Sequence, residues 1–154
     1  MSPLIPFLAG ILASAPACLA ARCDCMGPGT AQAARTHSDA VFVGVAASVR
    51  DTLVLEDPGR RQAYTAVTFR VRSGWKGVRT RNVTVLTSLN TCGYPFRQGE
   101  SYLVYARRAP VGEIRPLLTS ICTRTAVERE AAADIRALAR PEYRRPQPIS
   151  KDSP

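Results

Sequence analysis

From Ala40 onward the chain reads as short apolar runs broken by polar turns, a rhythm that predicts strands. Ala40 to Val49 (AVFVGVAASV) is almost continuously apolar with Gly44 at its centre, which predicts a long strand bulged or kinked at the glycine. Thr52 to Leu55 extends it or pairs with it, and Glu56 to Arg61 reads as a loop. Between Tyr64 and Arg72, Val67, Phe69 and Val71 alternate with Thr68, Arg70 and Arg72, the pattern of a half-buried strand. Ser73 to Gly77 reads as a turn that sets Trp75 over one end of the core. Asn82–Leu86, Tyr102–Ala106 and Ile114–Leu118 supply the remaining strands. The class is therefore mainly β, with about five strands in a small barrel, closed or partly open.

Two stretches read as helical instead, the first from its alanine content and the second from its period. Thr30 to Ser38, after the Gly27-Pro28-Gly29 turn, predicts one or two turns. Thr125-Ala126-Val127-Glu128 has the form of a capping box. Behind it, Val127, Ala131, Ile135 and Leu138 form one apolar stripe, which predicts a C-terminal helix packed on the barrel and stopped by Pro141. Residues 141–154 have no periodicity and several prolines, and read as a disordered tail.

Residues 1–20 carry no charged side chain, and their apolar segment, Leu4 to Ala13, is shorter than the roughly 20 residues a membrane span needs. This is the pattern of a secretory signal peptide, with small residues at Ala20 and Ala21 for cleavage. Residues 21–140 then form one domain, exported to the periplasm or beyond the cell, and no later stretch is apolar enough to span a membrane. Ala15-Pro16-Ala17 lacks the large aliphatic residue of lipoprotein signals, which argues against lipidation of Cys18.

Charge and composition remove several functions. A single histidine, His37, excludes sites built on two or more histidines, and it reads as a solvated loop or helix-end residue. No phosphate loop, dinucleotide fingerprint or nucleophile elbow occurs, so neither an enzyme nor a cofactor is expected. The formal charge is +9, and nineteen of the 21 basic residues are arginine. GC-rich codons give that bias on their own; read functionally, it points to an anionic partner such as a sulfated or phosphorylated glycan. Nucleic acid is disfavoured: Tyr64, Phe69, Tyr102 and Tyr105 lie on predicted strands, where aromatics are usually core.

The cysteines are the remaining signal. With Cys18 in the leader, Cys23, Cys25, Cys92 and Cys122 remain, an even number in an exported chain. Four cysteines allow three pairings. Cys23 and Cys25 are too close in sequence to bond without strain, so two long-range bridges are expected. A metal site is disfavoured because Cys92 and Cys122 do not form a close pair.

The order of these features resembles a family. Cys-x-Cys, a β-barrel pattern, Cys92-Gly93 between strands, Tyr102-Leu103-Val104-Tyr105, Thr119-Ser120-Ile121-Cys122-Thr123-Arg124-Thr125 and a terminal helix together resemble the netrin-like domain. More narrowly, they resemble bacterial relatives of the tissue inhibitors of metalloproteinases, over residues 23–139. The resemblance implies an OB-fold barrel, the bridges Cys23–Cys92 and Cys25–Cys122, and inhibition of a zinc metalloendopeptidase. In that family the amino-terminal cysteine, Cys23 here, chelates the protease's zinc through its free amine and its carbonyl oxygen. Asp24 then points into the enzyme's specificity pocket.

Two departures narrow the reading. Cleavage after Ala20 or Ala21 leaves Ala21-Arg22 or Arg22 ahead of Cys23, and an acylated nitrogen cannot chelate. Asp24 puts a carboxylate where such pockets are usually apolar, at a cost of about several kcal/mol if unpaired. The alternative is a non-inhibitory extracellular or periplasmic module that binds an anionic glycan, an envelope component or another protein.

Overall fold

A computed structural model of the chain describes residues 23–57 and 59–145; the leader expected over residues 1–20 lies outside them. Helix α1 (Ala31–His37) leads into β1 (Ala40–Asp57), β2 (Arg60–Lys76), β3 (Asn82–Ser88), β4 (Ser101–Arg108) and β5 (Leu117–Thr119). Then come β6 (Ala126–Val127), a 3-10 turn (Glu128–Glu130), α2 (Ala132–Ala137) and β7 (Tyr143–Arg144). The chain is mainly β. Strands β1, β2, β3, β5 and β4 form a closed ring, because β4 pairs back onto β1. All pairings in the ring are antiparallel except β3 with β5.

Strand β1 serves two neighbours by bending. Its first half pairs with both β4 and β2, its second half with β2 alone. The bend uses register shifts between Val43 and Gly44 and between Ala46 and Ser48. Gly44 is needed there, since a Cβ would stand 2.9 Å from the carbonyl oxygen of Arg70.

The ring closes over Phe42, Val67, Phe69, Val71, Val85, Tyr102, Val104 and their neighbours. Phe69 meets Phe42, Phe96 and Tyr102 edge-on at 5.4, 5.2 and 6.3 Å, contacts worth about 0.5–1.5 kcal/mol each beyond area burial. The opposite face of β1 and β4 presents Val41, Val43, Leu103 and Tyr105 to α1 and α2, which contribute Ala31, Ala34 and Ile135, and to Leu138 just after α2. Trp75 sits under this layer, and its indole N–H donates to the carbonyl of Ala139 at 2.9 Å.

Several elements differ from the sequence pattern. Thr52–Leu55 is the second half of β1, and Ser73–Lys76 ends β2, so Trp75 lies on a strand. The last ring strand is Leu117–Thr119, and Ile114 instead makes a small bridge with Val111. The capping box does not form. The Thr125 hydroxyl accepts from the Tyr105 backbone N–H at 3.0 Å, and Val127 lies on β6 against β4. The C-terminal helix is therefore only Ala132–Ala137, although Ala131, Ile135 and Leu138 of the apolar stripe do pack inward. The expected tail does not start at residue 141: Tyr143 and Arg144 pair with β2, and the Arg145 N–H donates to the Arg72 carbonyl at 2.9 Å. Residues 146–154 lie outside the described residues.

Candidate functional site: the clamped N-terminal segment

Ahead of α1 the chain runs without regular secondary structure over residues 23–28. Two disulfides tie it to the body. Cys23 is bonded to Cys92 in the loop after β3, and Cys25 to Cys122 in the loop after β5. Each bridge has a Cα–Cα distance of 5.1 Å, and the Cys23 and Cys122 sulfurs are 3.8 Å apart, so the bridges lie side by side. The sulfurs of Cys23, Cys25 and Cys122 fall within 4.8 Å of one another, a closeness that adjacent bridges produce without any metal.

Both receiving loops are shaped by their own polar residues. In the first, Asn90 accepts the Cys92 N–H on its side-chain oxygen at 2.9 Å and the Gly93 N–H on its carbonyl at 3.0 Å. The Tyr94 N–H donates to the Thr87 hydroxyl at 2.7 Å. Gly93 is obligatory, because a Cβ would stand 1.7 Å from the carbonyl oxygen of Ser88. In the second loop, the Cys122 N–H donates to the Ser120 hydroxyl at 3.1 Å, and the hydroxyls of Thr119, Thr123 and Thr125 bond to one another at 2.8–3.1 Å. The Ile121 N–H donates to the Cys92 carbonyl at 3.0 Å and joins the loops directly.

A third tie comes from Arg124. Its backbone is left-handed, with φ 71°. The guanidinium bonds Asp134 of α2 through two nitrogens and reaches the carbonyl of Gly29 at 3.3 Å. Gly27 packs flat on the same loop, where a Cβ would stand 2.8 Å from the Cys122 carbonyl oxygen.

The outer surface of this assembly is open. Asp24, Cys25 and Met26 are exposed, Met26 at 98 %, and Leu89 and Ile121 of the two loops are exposed as well. The structure thus brings Cys23, Asp24 and the partner cysteines together in one ridge. Arg124, Asp134, Gly27 and Gly93 belong to the same arrangement, and no local pattern marks the Arg124–Asp134 pair, ten residues apart.

Other candidates sit elsewhere. His37 is exposed at the end of α1. Tyr64, Phe69, Tyr102 and Tyr105 are all buried, so none of them offers a stacking face. Among the described residues, no helix is long and apolar enough to cross a membrane. Compared with models of known protein families and with curated protein sequences, the chain matches none.

Proposed function

We propose that the chain is an exported netrin-like binding protein that inhibits a zinc metalloendopeptidase through the ridge at Cys23-Asp24-Cys25. The observation that carries this reading is the clamping, from both sides, of a tripeptide whose Asp24 and Cys25 are exposed and whose Cys23 is half-buried. Its two cysteines are bonded to separate loops, those loops are hydrogen-bonded to each other, and Asp24 faces solvent between them. A wedge fixed before binding loses little conformational freedom on entering a cleft. The strand order 1-2-3-5-4 closing on 1 supports an OB-like barrel as the platform behind it.

The chemistry requires the Cys23 nitrogen to be a free amine. It then ligates the target's zinc together with the Cys23 carbonyl oxygen and displaces the water that the metal would activate. Asp24 enters the pocket beside the zinc, and its carboxylate selects a protease that supplies a cation there. Met26, Leu89 and Ile121 form the apolar rim.

The test is inhibition of zinc endopeptidases of differing pocket chemistry by two chains, one beginning at Cys23 and one at Ala21. The proposal expects inhibition by the first only, strongest for enzymes with a basic pocket, and a shift toward apolar pockets for Asp24→Leu. Equal inhibition by both chains, or none by either, refutes the chelating wedge.

A further inference from the structure

We infer that the surface where β2, the turn after it and β7 meet binds a sulfated or phosphorylated polysaccharide, at a site separate from the N-terminal ridge. Residues 58–99, which contain β2 and β3, include eight basic residues and no Asp or Glu. Onto this acid-free stretch the fold lays a segment from the far end of the chain. β7 takes the edge of β2 that β3 leaves free, placing Ser73 opposite Arg144. The Val71 N–H donates to the Arg81 carbonyl at 2.8 Å, and one residue on the Arg72 carbonyl accepts from Arg145 at 2.9 Å. Arg70 lies two residues from that junction. The turn carrying Arg79 folds tightly against β2, since a Cβ on Gly74 would stand 2.9 Å from the Val78 carbonyl oxygen.

Backbone pairing thus places the positions of Arg70, Arg79, Arg81, Arg144 and Arg145 around one stretch of β2. All are exposed except Arg145, which is partly so. The neighbouring carboxylates are engaged, Glu128 with Arg72 and Glu142 with Arg35. Among the described residues none of the five has a carboxylate partner. Unpaired cations at neighbouring positions repel one another, and a multivalent anion relieves that repulsion. Guanidinium forks match the oxygens of sulfate and phosphate.

The surroundings choose among polyanions. A single-stranded nucleic acid needs aromatic faces to stack on, and Tyr143, the nearest aromatic, is turned toward Gly74 and the core. A membrane surface needs exposed large apolar groups, but Met26, Leu53, Leu55, Leu89, Ile114 and Ile121 all belong to other segments. What lies beside the arginines is the hydroxyl pair Thr68–Thr84, at 3.1 Å, and Asn82, groups suited to a sugar. The ridge and this patch lie at opposite ends of β3, whose 7 residues span about 20 Å.

The experiment uses the mature chain and heparin, with affinity followed by titration over a range of salt. The triple variant Arg81→Gln/Arg144→Gln/Arg145→Gln is compared with Arg50→Gln/Arg107→Gln/Arg115→Gln, which has the same net charge. The inference expects about a tenfold or greater loss for the first triple and less than about twofold for the second. The Lys versions at positions 81, 144 and 145 keep the charge and test the fork with minimal risk to folding; an intermediate loss is expected. Chains beginning at Cys23 and at Ala21 should bind heparin equally, which separates this site from the protease reading. Equal losses in the two Gln triples would reduce the effect to net charge and overturn the site. Tighter binding to oligothymidylate or to anionic vesicles than to heparin would overturn the ligand.

Discussion

The Arg124 guanidinium holds the Asp134 carboxylate through two bonds, Nε to Oδ2 at 2.5 Å and Nη2 to Oδ1 at 2.8 Å. The bidentate pair raises the guanidinium's already high pKa, keeping its charge fixed. With its third nitrogen on Gly29, Arg124 couples the clamped N-terminal segment to α2. Removing it should therefore loosen both. Arg124→Ala is expected to cost about 1–3 kcal/mol in urea unfolding. Arg124→Gly should cost less than Arg124→Ala, because glycine accepts the positive φ without strain. Equal losses for the two would show that the backbone conformation carries no penalty there.

The disulfides should act first on the segment they clamp. With sequence separations of 69 and 97, each closes a loop worth about 4 to 5 kcal/mol in the chain-entropy model, with measured values often lower. Cys25→Ser/Cys122→Ser is expected to lower stability and to expose residues 23–30 to hydrogen exchange well before the ring strands. Uniform exchange of ridge and ring together would contradict the picture of a clamped segment on an independent body.

A methyl group at Gly93 has no room beside the Ser88 carbonyl. Gly93→Ala should displace the loop that carries Cys92, costing about 2 kcal/mol or more and slowing formation of the Cys23–Cys92 bridge during oxidative refolding. A variant as stable as the parent, with both bridges formed at the parent rate, would count against the tight turn.

Alkaline stability rests on buried phenols. Burial, followed by its bond to Glu56, pushes the Tyr64 hydroxyl up to about 12. Burial also raises Tyr94, Tyr102 and Tyr105 above the usual phenol value. The folded state thus prefers these groups protonated. Their contribution is complete below the unfolded phenol pKa of roughly 10 and is lost as pH climbs through the folded values. Stability should fall steadily above pH 10, with tyrosinate absorbance from these residues appearing only as the protein unfolds. On the acid side, the bonds from Arg129 and Tyr102 lower the Glu100 pKa, so that contribution disappears as pH falls through the carboxylate range.

Much of the ring was legible because alternation in Val67, Phe69 and Val71 is a local property set by which side chains face the core. What escaped the sequence depended on distant partners. Thr125 has the chemistry of a helix cap, but the Tyr105 N–H and the Thr119 hydroxyl claim its oxygen, so the residues after it go to β6 before α2 begins. Tyr143 and Arg144 look like tail residues, yet β2 outlasts β3 and offers them an unpaired edge. Cys23, Asp24 and Cys25 were conspicuous as a motif. Arg124 and Gly27, which seat them, had no local signature.

Zinc chelation by the ridge depends on what precedes Cys23. The most direct measurement is the intact mass of the naturally exported protein, before and after reduction. It should correspond to a chain trimmed past the signal cut at Ala20 or Ala21 so that it begins at Cys23, without lipid, and that gains four hydrogens when two disulfides open. A mature chain beginning at Ala21 or Arg22 would bury the essential nitrogen in a peptide bond and contradict zinc chelation by the ridge.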